Sequence, residues 1–264
     1  ADSLVVQSIV SYQHGRLSGI RVKNQNTLLV NLRAPLVRDN ELNLTIPYAG
    51  RLEPQTPDRE TLALLEPGQS PRDDPTMAIQ AEPNYLYSSR SFWYPQAPVS
   101  DYATARIRIS VPPAVDCVAS GELESGFPGI LTDKDPAKNR KIYVFNATQP
   151  LRYLAFILSR FSRAETATLA FPGAAVPEIK GTTYRSLKLS VEANPRQAQR
   201  GREIALRAAD IALYYESLLG DSPYSSFTVA LVESDLPGGH SPGYFAVLNQ
   251  PLPMLPPDVI GGRF

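Results

Sequence analysis

Short alternations of apolar and polar residues run through the first two thirds of the chain and predict β-strands. In one of the clearest, Ile107, Ile109 and Val111 alternate with polar residues until Pro112-Pro113 ends the pattern. Further strands are predicted at 27–32, 42–48, 141–145, 151–159 and 184–191. Such short strands, separated by Pro and Gly turns, predict a β-sandwich or a strongly twisted sheet.

One long helix is predicted near the end of the chain, because apolar residues recur there at helical spacing. These residues are Ile204, Ala208, Ile211, Tyr215 and Leu218. Asn194 is the predicted N-cap, Pro195 the first helical residue and Gly220 the stop. Strands are predicted to follow at 228–232 and 244–248. We therefore predict a mainly β fold, with a twisted β-sandwich domain at 1–191 and a strand–helix–strand unit that begins an α+β domain at 192–264.

Three segments lack a clear strand or helix pattern. Residues 50–77 contain five prolines among many charges, which predicts an exposed insertion with at most one helical turn at 60–65. Residues 121–140 are predicted to form a second long loop. Residues 249–264 contain four prolines and no periodicity, and are predicted to be a tail or a connection.

The composition excludes several classes of protein. The 264 residues carry 26 Lys and Arg against 26 Asp and Glu, and this zero net charge argues against a nucleic-acid binder. One cysteine excludes an internal disulfide, and two histidines exclude a self-contained multi-histidine metal site. The longest apolar runs are far shorter than the ~20 residues of a membrane helix, so no membrane segment is predicted.

The segment Gly239-His240-Ser241-Pro242-Gly243 matches the G-x-S-x-G nucleophile elbow of α/β-hydrolases. An elbow needs a strand that leads into the serine and a helix that leads out of it. Here a strand is predicted after the serine, and no histidine follows His240. A Gly/Pro turn is therefore favoured, and a serine hydrolase that uses Ser241 remains a remote alternative.

Other histidine, cysteine, tryptophan and acidic residues are predicted to have structural and not catalytic roles. His14 is predicted to be an exposed turn residue, Cys117 a buried small apolar residue, and Trp93 a core anchor. Glu233 and Asp235 follow an apolar strand and are predicted to form its solvated end, with a place in a cleft as the alternative.

Several segments, in this order, carry a resemblance to a known family. They are Glu41-Leu42-Asn43-Leu44-Thr45-Ile46-Pro47-Tyr48-Ala49-Gly50, Gln80-Ala81-Glu82-Pro83, Trp93-Tyr94-Pro95, Tyr153-Leu154-Ala155-Phe156-Ile157-Leu158 and Leu219-Gly220-Asp221-Ser222-Pro223-Tyr224. In order and spacing they resemble the N-terminal region of an aminopeptidase N-type zinc metallopeptidase (a gluzincin), the family that includes leukotriene hydrolase.

The resemblance implies that residues 192–264 begin a thermolysin-like catalytic domain and stop before its zinc helix. The chain would then be a fragment of a longer polypeptide and inactive alone. The segment 238–243 would line the peptide cleft by main-chain pairing. The implied substrate-binding residues are Gln80, Gly238, Gly239, His240 and Ser241. No catalytic residue, metal ligand or cofactor is expected in this chain, and zinc is expected in the parent polypeptide if that parent is an enzyme.

The sequence departs from the family at one motif. Working aminopeptidases carry G-x-M-E-N, in which the Glu binds the free amine of the substrate. Here Ser241 stands in place of that Glu and Pro242 in place of the Asn. A hydroxyl group cannot supply the ionic partner that an ammonium group needs, so aminopeptidase specificity is not expected.

Two hypotheses for the parent follow. The first is a zinc metallopeptidase that hydrolyses peptides, whose partners are the peptide substrate and the downstream remainder of the same polypeptide. The second is a non-catalytic relative that serves as a protein-binding or assembly scaffold. The sequence leaves the compartment open, since the bacterial cytoplasm and export both fit.

Overall fold

A computed structural model describes residues 3–22, 24–55, 80–96, 101–171, 186–220, 222–234 and 238–250. The helical turn predicted at 60–65, Asp235 and the tail after residue 250 lie outside the described residues. The chain forms two compact units. One comprises residues 1–55 with 87–98, and the other comprises residues 56–86 with 99–264.

The described residues of the first unit form seven short strands with antiparallel pairing. Its strands are β1 (Leu4–Val6), β2 (Val10–Ser11), β3 (Gly15–Arg16), β4 (Ser18–Val22), β5 (Thr27–Asn31), β6 (Leu44–Thr45) and β7 (Tyr48–Gly50). Strand β1 pairs with β7, β2 lies between β3 and β6, and β4 forms a hairpin with β5. The single strand predicted at 42–48 is wrong, because β6 and β7 are separate there. Pro47 lacks an N–H to continue a ladder, and its carbonyl accepts from Gln7 N–H at 2.9 Å.

The second unit holds most of the remaining strands and the helix. Its strands are β8 (Asn84–Tyr87, whose last residue falls in the first unit), β9 (Ala103–Val111), β10 (Asp116–Ala119), β11 (Glu122–Leu123), β12 (Gly129–Leu131), β13 (Arg140–Leu151), β14 (Phe156–Ser159), β15 (Ser162–Ala170), β16 (Ser186–Ala193), β17 (Ser226–Glu233), β18 (Gly239–His240) and β19 (Phe245–Gln250). Helix α1 spans Ala198–Leu219, directly after a 3₁₀ turn at Pro195–Gln197. Other 3₁₀ turns lie at Ser89–Ser91 and Pro136–Lys138.

Two antiparallel sheets form the first part of this unit. Strand β14 lies between β10 and β8, and β13 pairs with β9, β11 and β12. The alternation predicted in β9 is confirmed, since Ile107 and Val111 are buried while Arg106 and Arg108 are exposed. The long loop predicted at 121–140 is wrong, because β11 and β12 lie within it and pair with β13. These strands of two and three residues are too short to show an alternating pattern.

A five-stranded sheet forms the second part, in the order β15-β16-β17-β19-β18. Its three central strands are parallel and its two outer strands antiparallel. Helix α1 makes the crossover from β16 to β17 that a parallel pair requires. The predicted strand–helix–strand unit is thus confirmed, as is the mainly β fold. The predicted domains 1–191 and 192–264 meet inside β16, and they stay a prediction.

Helix α1 ends as the sequence predicts. Gly220 adopts φ 68°, and its N–H donates to the Glu216 carbonyl at 2.7 Å. No helix in the part of the chain that the structure describes is long and apolar enough to cross a membrane.

Candidate functional site

The segment that the sequence singles out at 238–243 lies at one edge of the five-stranded sheet. Only Gly239 and His240 form a strand there, and they pair with Leu248 and Val247 of β19. The Gly238 carbonyl accepts from Asn249 N–H at 3.0 Å. Along an antiparallel strand, the N–H and C=O of successive residues point alternately toward the partner strand and away from it. Gly238 bonds to β19, so the N–H and C=O of the next residue, Gly239, point away from β19.

Glycine is required in this edge strand. A Cβ on Gly239 would lie 2.5 Å from the Val247 carbonyl oxygen, far closer than such atoms approach. Gly238 has φ +144°, a conformation that residues with side chains rarely adopt. Gly239 therefore allows the edge strand to approach β19 at a distance that a side chain would prevent, and Gly238 supplies the backbone conformation that leads into it.

Ser241 is exposed and leads through Pro242 and Gly243 into β19. No helix follows it, so the G-x-S-x-G segment is a turn between two strands and not a nucleophile elbow, as the sequence predicts. The turn is anchored by Tyr244, a buried residue whose hydroxyl accepts from Gln149 N–H at 3.0 Å.

Gln80 is held by Arg196, which lies in the 3₁₀ turn before α1 and also binds Glu233, the last residue of β17. Arg196 Nη2 donates to the Gln80 carbonyl at 2.7 Å. The same guanidinium binds Glu233 in a bidentate ion pair, with Nε–Oε1 at 3.1 Å and Nη2–Oε2 at 2.6 Å. Glu82 N–H also donates to Glu233 Oε2, at 2.8 Å. The segment that contains Gln80 and Glu82 is thus tied to the sheet by one carboxylate and one guanidinium.

The predicted solvated end of β17 is therefore wrong for Glu233, whose side chain is completely buried. A carboxylate is stable in such a place only when it is paired and hydrogen-bonded. Arg196 and the Glu82 N–H meet that need.

Asn194 stands at the N-cap position of the 3₁₀ turn that leads into α1, with Pro195 next to it as predicted, but its side chain has another role. Its side chain makes no capping bond to α1 or to the 3₁₀ turn before it. Instead, its Nδ2 donates to Ser159 Oγ at 2.9 Å and to the Arg160 carbonyl at 2.7 Å. Its Oδ1 accepts from Glu233 N–H at 2.9 Å. Asn194 is completely buried and links the ends of β14 and β17.

Sequence reasoning missed this set of Asn194, Arg196 and Glu233. The available signals were an Asn-Pro pair before a helix and an acidic residue after an apolar strand, and both fit more than one role. The ion pair and the edge strand lie at the same end of the sheet. In β19, Gln250 lies opposite Glu233 and Leu248 lies opposite Gly239.

Three further predictions concern single residues, two of which belong to the first unit. Cys117 is buried in β10, as predicted, and burial raises its thiol pKa well above the ordinary value. Trp93 is half-buried, and its carbonyl accepts a hydrogen bond from the Tyr48 hydroxyl within the first unit. His14 lies in the turn between β2 and β3 and is half-buried rather than exposed.

The described residues do not fit a zinc site. Within the part of the chain that the structure describes, no three His, Cys, Asp or Glu side chains come together to hold a metal ion. A zinc site needs three or four such ligands.

The chain matches no protein-family model and no curated protein. It does match solved structures of M1 zinc metallopeptidases. The enzyme from Deinococcus radiodurans is 18% identical, with a TM-score of 0.60 over 94% of this chain and 50% of that one. A two-domain M1 variant bound to L-arginine is 17% identical, with the same TM-score and coverage. A Deinococcus radiodurans variant bound to a Tyr-Ser-Ala substrate is 16% identical, with a TM-score of 0.58 over 93% of this chain and 50% of that one.

The chain therefore spans about half the length of the structures it matches. At such low identity the likeness establishes the fold alone. That fold is the one the sequence resemblance predicts, an aminopeptidase N-type N-terminal region.

Proposed function

We propose that this chain belongs to a zinc metallopeptidase of the aminopeptidase N type, and that its edge strand β18 binds the peptide substrate. The observation that carries the proposal is the place of Gly239, in the strand that ends the five-stranded sheet of the described residues, in a chain with the M1 fold. A matched structure described as bound to a tripeptide substrate supports peptides as the substrate class.

Binding would occur by addition of the substrate as a further strand. The N–H and C=O of Gly239 point away from β19 and can pair with an extended peptide. Without a side chain at Gly239, the substrate backbone can approach closely. His240 and Ser241 would then lie beside the substrate, together with the Gln80 segment that Arg196 holds at the same end of the sheet.

Zinc, when bound to the parent polypeptide, would polarise the scissile carbonyl and activate water. Its ligands and the general base would belong to a part of the parent polypeptide outside the described residues. This chain would contribute only the binding and orientation of the substrate, and would hydrolyse nothing alone.

The decisive experiment is a peptidase assay of the complete gene product that carries this chain. We expect hydrolysis that is lost on chelation and restored by zinc. Peptides with a free and with an acetylated amino terminus should be cleaved at similar rates, because Ser241 cannot form the ion pair that selects the free amine.

A glycine variant tests the role of the edge strand. Gly239→Ala should lower kcat/KM by about tenfold or more, because the added Cβ displaces β18 and misplaces the substrate. The matched control is Gly129→Ala in β12, where a Cβ would meet only Phe127 side-chain atoms at 3.8 Å or more. Equal effects of the two variants would contradict the proposed role of β18.

The second candidate is a non-catalytic binding scaffold, which Ser241 and Pro242 favour because they replace the Glu and Asn of the family motif. It predicts no zinc-dependent cleavage by the complete gene product. The same assay therefore decides between the two functions.

A further inference from the structure

Helix α1 carries a stripe of apolar side chains that the sheet beneath it covers only in part. The first half of the stripe is packed. Ile204 and Ala208 contact a buried cluster that includes Val191 and Leu231. The second half, which we call the uncovered stripe, consists of Ile211, Tyr214, Tyr215 and Leu218.

The members of the uncovered stripe are 56%, 61%, 55% and 64% exposed, in that order. Ile211, Tyr215 and Leu218 continue the packed half along the same side of the helix, since they fall with Ile204 and Ala208 within an arc of about 80°. Tyr214 lies about 40° beyond that arc. The helix residues of the buried cluster end at Ala209. The ten residues from there to Leu219 extend about 15 Å further.

We propose that the uncovered stripe is the docking surface for the part of the M1 fold that this chain does not span. This inference rests on the proposed function, and it names the intramolecular partner that this function requires. A stripe of two tyrosines and two aliphatic residues fits an apolar protein surface, because exposed apolar patches of this kind mark interaction sites.

The small area of the stripe argues for a covalently linked partner and against a second copy of the chain. Two aromatic and two aliphatic side chains, already partly covered, offer about 400 Å². A stable complex between separate proteins needs about 800 Å² on each partner. A linked domain does not pay the entropy of association, so a smaller contact suffices. The matched structures contain about as much chain again as this one.

The test compares the 264-residue chain with the complete gene product, each carrying the double change Ile211→Lys and Tyr215→Lys. In the complete polypeptide the double variant should lower the urea midpoint and speed amide exchange at 211–219 by about tenfold or more, because charges replace a buried contact. In the 264-residue chain the same change should leave the urea midpoint unchanged and reduce the binding of an apolar dye.

Leu206→Lys is the matched control. Leu206 lies on the same helix and is 72% exposed, but it points away from the stripe. It should leave the urea midpoint unchanged in both polypeptides.

Three results would overturn the proposal. The first is a 264-residue chain that sediments as a dimer and becomes monomeric in the double variant, which would make a second copy the partner. The second is a double variant with no effect in the complete gene product. The third is a complete gene product no longer than this chain. An inactive gene product in which the double variant is still destabilising would refute the proposed peptidase function and leave the docking surface intact.

Discussion

The ion pair of Arg196 with Glu233 shows how one carboxylate can organise several segments. Glu233 is completely buried, while the Arg196 side chain remains 39% exposed. A buried pair of this kind adds little net stability compared with apolar residues, yet breaking it leaves an uncompensated charge. We infer that the pair determines where the Gln80 segment lies more than how stable the fold is.

Replacing Arg196 with Met tests this pair. The variant leaves the Glu233 carboxylate buried without a cation, so the free energy of unfolding should fall by about 3 kcal/mol. Urea denaturation followed by circular dichroism measures this loss. In the control Arg200→Met, the lost pair with Glu203 is exposed at both side chains, and the change should be under about 1 kcal/mol. Equal losses in the two variants would contradict a special role for Arg196.

A second group of polar residues, partly buried, surrounds Asp116. Its Oδ1 accepts from Lys141 Nζ at 2.6 Å and from the Tyr143 hydroxyl at 2.9 Å, and its Oδ2 accepts from Phe161 N–H at 3.0 Å. Burial, and then the negative charge of Asp116, raise the pKa of Tyr143 above its ordinary value of 10.0. Tyr143 therefore stays protonated in the folded chain at a pH where it ionises in the unfolded chain.

This shift makes stability depend on pH in the alkaline range. The folded state binds the proton more tightly, so the contribution of Tyr143 is present below about pH 10 and is lost as the pH rises further. The difference in unfolding free energy between wild type and Tyr143→Phe should therefore shrink as the pH is raised through 10. Urea denaturation at a series of pH values measures it. A difference that stays constant with pH would show that the raised pKa of Tyr143 is not coupled to folding.

At the scale of elements, glycine determines how closely helix α1 packs on the sheet. A Cβ on Gly201 would lie 2.6 Å from the Cβ of Ala164 in β15 and 3.4 Å from that of Ala193 in β16. Both neighbours are alanines, whose Cβ atoms cannot rotate away. The helix therefore approaches these two strands at a distance that only glycine allows.

The variant Gly201→Ala sets two effects against each other. Alanine favours a helix interior by about 1 kcal/mol over glycine. Overpacking against Ala164 should outweigh this gain and lower the free energy of unfolding by about 1 to 2 kcal/mol net. Thermal and urea denaturation measure the sign. The control is Ser217→Ala at an exposed position of the same helix, where the change should be within about 0.5 kcal/mol. A more stable Gly201→Ala variant would show that the helix can move away from the sheet.

At the scale of the whole molecule, the second unit is held together by contacts between its sheets. One buried cluster joins Val118 and Ile157 of the three-stranded sheet with Ala230, Val232 and Phe245 of the five-stranded sheet. The hydrogen bonds of Asn194 add a polar link between the same two sheets. The two sheets should therefore unfold together.

Replacing Asn194 with Ala tests that link. The variant leaves the Glu233 N–H and the Arg160 carbonyl without their side-chain partner, so the free energy of unfolding should fall by about 3 kcal/mol. Urea denaturation should still show one transition for the two sheets. Asn139→Ala removes a single bond, to the exposed Asp133 N–H, and should change the free energy of unfolding by under about 1 kcal/mol. Two separate transitions would contradict joint unfolding of the sheets.

Elements with a local signal could be predicted from the order of residues alone. The alternation in β9, the apolar stripe of α1 and the stop at Gly220 depend on residues a few positions apart, so periodicity was enough to predict them. The order of several segments was enough to predict the M1 fold. The place of 238–243 between β17 and β19 likewise followed from its position between two apolar runs.

Roles that depend on distant partners are apparent only in the folded chain. Arg196 and Glu233 are 37 positions apart, and Asn194 and Glu233 are 39 apart, so no local pattern records their contacts. The stripe of α1 looks uniform in sequence, yet the sheet covers one half and leaves the other exposed. Burial depends on which surfaces meet after folding, and periodicity shows which face of an element is apolar but not what lies against it.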